Sequence, residues 1–289
     1  MNATEPRPGP VLVTGANSGI GLDASLHLAG RGWPVWGTVR SRAKAATLRD
    51  AAHDAGVGTN VRPVVLDVSD HEAVAARWPR LPRFHAVVNN AGASITGAVE
   101  TVPAEDARAL LDVNLVTPAV IASLALPSMR RRGRGRIVMV SSMAGREAVL
   151  PFHGWYHASK FGLEALSDVL RIEVAPFGVA VVLIEPGFFS TSMLGKAGEQ
   201  VRDRDGGDSP YEPGYRRVER IMSVVERLSP PPHAVTRAIT SAIESKRPKR
   251  RYLVGREVLA VRGLGLVPDG ITDRVVSAVS NLGRSASPP

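Results

Sequence analysis

The chain has 289 residues, 44% apolar and 22% charged, a length and balance that suit one large α/β domain with a sizeable core. It has no cysteine, which excludes disulfides, thiolate zinc sites and a cysteine nucleophile and suits a reducing, cytoplasmic setting. The net charge of +9 admits nucleic acid, an anionic membrane or a phosphorylated ligand, but no zinc-finger, helix-turn-helix or RNP-like pattern accompanies it.

The basic residues are scattered except for runs at Arg130-Arg131-Arg132 and Lys246-Arg247-Pro248-Lys249-Arg250-Arg251. They read as a solvated, arginine-rich surface, so no nucleic-acid partner is expected. The first ten residues carry three prolines and no apolar run, so residues 1–9 read as a disordered lead-in rather than a signal peptide. Val11-Leu12-Val13 is an apolar strand, followed by a glycine-rich turn and a helix over Ile20–Ala29. A second strand, Val35–Val39, and a helix, Ala43–Ala55, come next. Val64–Leu66 and Ala86–Val88 are further strands, with a short helix over His71–Trp78 between them.

A long helix over Ala104–Arg131 leads to the strand Ile137–Val140. The apolar stretch inside it, Val113–Met129, is broken by Asn114, Thr117 and Pro118 among others, so no stable membrane insertion is expected. The helix Trp155–Ala175 precedes the strand Val179–Ile184. Residues 188–228, rich in Gly, Asp, Arg and Tyr, read as a mobile lid. The helix Pro232–Ser245, a seventh strand at Tyr252–Val254 and a C-terminal extension over 256–289 complete the chain, its tail frayed from Ser277.

Strands that are apolar throughout are buried on both faces, as in a parallel sheet covered by helices. Strict βα alternation over residues 10–255 therefore predicts a single doubly wound, Rossmann-type α/β domain with a parallel sheet of about seven strands. Ligands of such sheets bind at the carboxyl ends of the strands.

The first strand runs into Thr14-Gly15-Ala16-Asn17-Ser18-Gly19-Ile20-Gly21 and then a helix. Glycines let the backbone approach a pyrophosphate, and a helix N-terminus offers free N–H groups and partial positive charge. The spacing is G-x-x-x-G-x-G, and its placement in a βαβ unit points to a nucleotide. The second strand ends Thr38-Val39-Arg40-Ser41-Arg42 without the acid that would bind ribose hydroxyls, so Arg40 favours the 2′-phosphate of NADP(H) over NAD(H). Its bland alternative is a solvated strand end. Asp67 could accept from an adenine amino group or cap the helix at His71, a task for which Asp70 competes.

Tyr156 and Lys160 share a helical face at i, i+4. A nearby ammonium lowers the pKa of a phenol, which could then act as general acid in carbonyl reduction and as general base in alcohol oxidation. Ser142, at the end of the fifth strand, could orient a substrate oxygen toward Tyr156. Asn114 is a polar side chain in an apolar stretch; it reads either as a link through water to Lys160 or as a structural amide that bends its helix.

With Asn89-Asn90-Ala91-Gly92 and Pro186-Gly187, these pieces resemble the classical short-chain dehydrogenases/reductases from Val11 to about Val254. The resemblance implies a tetrad of Asn114, Ser142, Tyr156 and Lys160, with Lys160 also binding the nicotinamide ribose. It implies that Pro186, Gly187 and Thr191 border the nicotinamide, whose pro-S face is used, and that Asn90 steadies the sheet beside the cofactor. Gly15, Asn17, Ser18, Gly19, Ile20 and Gly21, with Arg40, Asp67, Ala91 and Gly92, form the rest of the cofactor site. The surrounding wording is similar to the retinol- and hydroxysteroid-dehydrogenase-like branch, which suggests a lipophilic carbonyl or alcohol substrate.

The family implies a homodimer or homotetramer. Two departures stand out. Ser142 and Tyr156 are fourteen positions apart where many members have thirteen, which keeps Ser141 as a fallback. The glycine turn has Asn17-Ser18 where many NADP-preferring members carry a basic residue. Phe152, Trp155, Phe188, Phe189, Met193 and Leu194 are candidates for an apolar substrate wall, and Tyr211 and Tyr215 for a closing lid. His153 and His157 lack a third ligand, so no metal site is expected; they read as rim or solvent-facing residues. The rival reading is a non-catalytic NADP(H) sensor or scaffold on the same fold.

Overall fold

In the computed structural model, residues 9–190, 209–264 and 267–280 are described. Seven strands form one sheet in the order β3-β2-β1-β4-β5-β6-β7: β1 (Val11–Val13), β2 (Val35–Val39), β3 (Val61–Val65), β4 (Ala86–Asn89), β5 (Gly135–Val140), β6 (Val179–Pro186) and β7 (Arg251–Val254). Every neighbouring pair is parallel. The apolar strands alternate their side chains between two cores, as the continuous runs require. Val11 and Val13 pack in one core, with α1 (Gly19–Gly30) and α2 (Arg42–Asp54), while Leu12 packs in the other, with α3 (His71–Arg77).

The first expected strand boundary to move is that of β3, which begins at Val61 because Pro63 lies on the edge strand of the sheet, where a missing N–H is tolerated. The long helix is also not continuous. It comprises α4 (Ala104–Leu111), a π-helical turn over Asp112–Val116 and α5 (Thr117–Arg132). Pro118 lacks the N–H that the Asn114 carbonyl would take in an α-helix, and the extra residue per turn sits there. By length and composition Ala104–Arg132 could cross a membrane, yet Ile121, Ala122, Ala125 and Met129 are packed in the sheet core.

Helix α6 (Gly154–Val174) starts one residue earlier than expected and follows a loop in which Phe152 is left-handed, with φ 65°. In the second half of the expected lid, Glu212–Leu228 is a regular helix, α7. Its Tyr215 and Val218 are buried with Ala98 and Phe152, and the Tyr215 hydroxyl accepts from Ala98 N at 2.9 Å. Helix α8 (His233–Glu244) then packs against the α1 side of the sheet. The C-terminal extension contributes α9 (Arg256–Leu264) and α10 (Asp269–Val279), so Ser277 lies in a helix.

Candidate active site

A cleft of about 950 Å³ opens at the carboxyl ends of the strands, lined from β1, β2, β4, β5 and β6. Its first wall is the glycine turn, where Gly15, Asn17, Ser18, Gly19 and Ile20 all face it. Gly15 has φ 66°, and a Cβ there would stand 3.1 Å from Ala91 Cα, so only glycine fits between β1 and the loop after β4. Gly21 lies behind the wall, and a Cβ on it would collide with the Gly15 carbonyl. Ser18 is the N-cap residue of α1 but makes no side-chain capping bond, and the first turn holds no acid. That helix end is suited to accept an anion.

Arg40 is exposed on the cleft wall, and Lys44 stands beside it from the first turn of α2. Ser41 caps that helix by accepting from Lys44 N at 3.3 Å. Sequence reasoning named Arg40 and missed Lys44; the signal was a third cation two residues past Arg42. Asp67 lines the same end and accepts from Ser69 N and Oγ at 3.1 and 2.8 Å. Asp70, not Asp67, caps α3, by accepting from Ala73 N at 2.9 Å.

Asn90 joins the two halves of the sheet. Its side chain donates to Thr14 O at 2.9 Å, and the Thr14 hydroxyl accepts from the Asn90 and Ala91 N–H groups at 2.9 and 2.8 Å. Asn90, Ala91 and Gly92 border the cleft directly. Asn114 sits one layer behind. Its Oδ1 accepts from Ala93 N at 2.9 Å, while its Nδ2 donates to Ala93 O and to Ser159 Oγ, both at 3.0 Å. The amide therefore ties the β4 loop and α6 to the π turn.

Ser142, Tyr156 and Lys160 meet at the other end of the cleft, beside Pro186 and Gly187. Ser142 Oγ accepts from Ala144 N at 3.2 Å, and a hydrogen bond with the Tyr156 phenol opposes the effect of burial on that group. Burial prevails and holds the phenol above its usual value near 10. Lys160 Nζ donates to Val140 O at 3.0 Å and stands 5.8 Å from the Tyr156 ring centroid. Burial pushes the Lys160 ammonium down to about 8, with the Glu164 carboxylate opposing.

Both histidines are buried rather than solvent-facing. His157 Nδ1 lies 2.8 Å from Ala144 O and His153 Nε2 lies 3.2 Å from Thr96 Oγ1, which braces the loop between Ser142 and Tyr156. Phe188 lines the cleft with Ile95, Leu150 and Met222. Phe152 instead packs on Tyr215, with ring centroids 4.3 Å apart, so it supports α7 rather than forming the wall. Phe189 touches the cleft but is buried in the core. Thr191, Met193 and Leu194 lie outside the described residues. Among those described, no group of three or more acids and histidines could hold a metal.

The extension reaches this end too. Glu257 of α9 accepts from Phe188 N at 2.8 Å and fills the space that a side chain on Gly187 would need.

Residues 10–202 match the family model for short chain dehydrogenases. The chain is 30% identical over 271 residues to 3-ketodihydrosphingosine reductase of Bacteroides thetaiotaomicron, covering 92% of this chain and 95% of that protein. It is 32% identical over 258 residues to human 17-beta-hydroxysteroid dehydrogenase type 1, covering 86% and 78%. A short-chain dehydrogenase from Streptomyces avermitilis superposes with a TM-score of 0.75 at 27% identity, covering 97% and 100%. Two neighbours at 23% identity, from Sphingobium yanoikuyae with NADPH (TM-score 0.70, 97% and 98% covered) and Burkholderia phymatum with NAD (0.73, 98% and 97%), share the fold. The chain belongs to the short-chain dehydrogenase/reductase family of oxidoreductases.

Proposed function

We propose that the protein is an NADP(H)-dependent carbonyl reductase or secondary-alcohol dehydrogenase acting on a lipophilic small molecule. The observation that carries this reading is that Ser142, Tyr156 and Lys160 share one cleft with the uncapped N-terminus of α1. The residues fit a dinucleotide: the glycine turn takes the pyrophosphate, Arg40 and Lys44 the 2′-phosphate, and Asp67 the adenine amino group. Pro186 and Gly187 would border the nicotinamide, which when bound would supply or accept the hydride.

In the reductive direction Ser142 donates a hydrogen bond to the substrate oxygen and Tyr156 passes it the phenol proton as the carbonyl carbon gains its new C–H bond. Lys160 holds the ribose and restores the proton from solvent, and Asn114 keeps α6 in place. Similarity to a sphingoid-base reductase, a steroid dehydrogenase and an NADPH-dependent 3-dehydrocapnine reductase supports a lipophilic substrate, as does the wall of Ile95, Leu150, Phe188 and Met222. A homodimer or homotetramer belongs to the same proposal: Phe161, Val169 and Ile172 of α6 are exposed on its outer face.

The test is a titration with NADPH and NADH followed by nicotinamide fluorescence, then a ketone and aldehyde screen. At least about tenfold tighter NADPH binding is expected, with the preference lost in Arg40→Glu. Turnover should fall about 10²- to 10⁴-fold in Tyr156→Phe while NADPH binding persists. Equal binding of NADH would remove the Arg40 reading but not the reductase. Binding without any turnover would favour the sensor, and a folded protein that binds neither cofactor would sink the enzyme.

A further inference from the structure

In an all-parallel sheet every strand begins at the same edge, and here β4, β5, β6 and β7 are consecutive neighbours. The segments leading into three of them are residues 77–85 into β4, 130–136 into β5 and 245–251 into β7. Those 23 residues hold thirteen Lys and Arg and no Asp or Glu. Segments about 45 and 109 residues apart in sequence thus converge at one edge, opposite the carboxyl ends that frame the cleft. The turn between α6 and β6, which lies between the last two, adds no acid.

Inner members of the group hold the edge together. Arg132 donates to Phe84 O and Arg136 to Ser245 O, which ties all three segments to one another. Arg251 turns inward to Glu164 and Asp168. The outer members, Arg80 and Arg83, Arg131 and Arg134, and the cations of 246–250, are exposed, and among the described residues none of them pairs with an acid. Their field reaches inward: burial first, and then the charges of Arg136, Arg134 and Arg132, hold His85 down at about 4. A helix C-terminus carries only about half a negative charge, so the ends of α5 and α8 cannot neutralise this group. Amid the cations Phe177 is 45% exposed, with the Arg130 guanidinium 5.6 Å from its ring centroid.

We propose that this edge docks on an anionic phospholipid surface. Unneutralised like charge seeks an anionic counterpart, and clustered Lys and Arg gain attraction near an anionic leaflet. An exposed ring among them suits the headgroup level, where an apolar body and a charged neighbour are both accommodated. The face consists of strand-entry turns and helix ends, with no helix laid along it for a nucleic-acid groove. Docking is peripheral, needs no spanning segment and holds the cleft away from the lipid. The proposal does not depend on the hydride-transfer reading.

Sedimentation with phosphatidylcholine vesicles, with and without about 30% phosphatidylglycerol, tests it. The protein is expected to sediment with the anionic vesicles only, at about 50 mM NaCl, and to be released at about 500 mM. Reversing Arg131, Arg134, Lys246 and Lys249 to Glu should weaken binding about tenfold or more, while the Arg131→Lys, Arg134→Lys pair keeps it. Far-UV circular dichroism and the melting temperature of each variant report that it is folded. Failure to sediment with anionic vesicles at low salt, or equal sedimentation of the charge-reversed variant, would overturn the proposal. Binding to duplex DNA that persists at salt releasing the vesicles would overturn it in favour of nucleic acid.

Discussion

Ser141 and Ser142 are adjacent at the end of β5, and alternation sends their hydroxyls to different surroundings. Ser141 Oγ is buried against Gly145 and has no hydrogen-bond partner among the described residues, whereas Ser142 Oγ lies in the cleft with Tyr156. Ser142→Ala is therefore expected to cut turnover by about 10²- to 10³-fold, and Ser141→Ala to leave it within about threefold, in parallel steady-state assays. The reverse ranking would assign the role to Ser141. Tyr156, Lys160 and the glycine turn were legible in sequence because backbone spacing alone makes them neighbours. The phenol pKa was not, because it depends on burial and on where an ammonium points. Lys160 points to the Val140 carbonyl, a choice set by tertiary packing that no spacing reports.

Between α6, β6 and β7 lies a polar cluster that the chain pattern hides. Glu185 sits in the otherwise apolar strand Val179–Pro186, fully buried one residue before Pro186. Arg251 Nε comes within 2.9 Å of Glu185 Oε1, but its N–H groups point to Glu164 and Asp168, and among the described residues Glu185 accepts no hydrogen bond. Burial, and then the Glu164 carboxylate, raise Glu185 to about 7 against Arg146, Arg251 and Arg262. A raised folded-state carboxyl pKa means that the folded protein holds the proton more tightly than the unfolded chain does. The contribution of Glu185 is fullest below about 4.5 and is lost as pH rises toward about 7.

Glu185→Gln cannot acquire that charge, so its unfolding free energy relative to wild type should climb between pH 5 and pH 8, by a few kcal/mol at most at about 1.4 per pKa unit, with the melting temperature following. A pH-independent difference in calorimetric scans would refute this. A lone Glu in an apolar strand was the available sequence signal. The π turn at Asn114 was foreshadowed only by Pro118, and helix α7 was concealed by the glycines and aspartates that precede it.

On the scale of the whole molecule, the cleft runs from Arg40 just beyond β2 to Gly187 beyond β6, so a ligand filling it touches both halves of the sheet. Such a ligand stabilises the folded state as a unit, by about 2.7 kcal/mol at a hundredfold excess over its Kd. NADPH at that concentration is expected to raise the melting temperature by roughly 5 °C. NADH at the same concentration should raise it less, and an equal rise would count against the phosphate-binding role of Arg40 and Lys44. The doubly wound domain was readable because buried parallel strands must be apolar on both faces. The charged edge was not, since strand order, rather than sequence proximity, assembles it.

That strand order also governs how the chain reaches this state. No two strands form a hairpin, and β1 must find β4, 75 residues along at Val11 and Ala86, before the sheet has a centre. β7 can join only once β6 is in place. Assembly through distant partners lengthens the search, so refolding on the slow side, in milliseconds to seconds, is the kinetic cost of an architecture that gathers its chemistry along one edge.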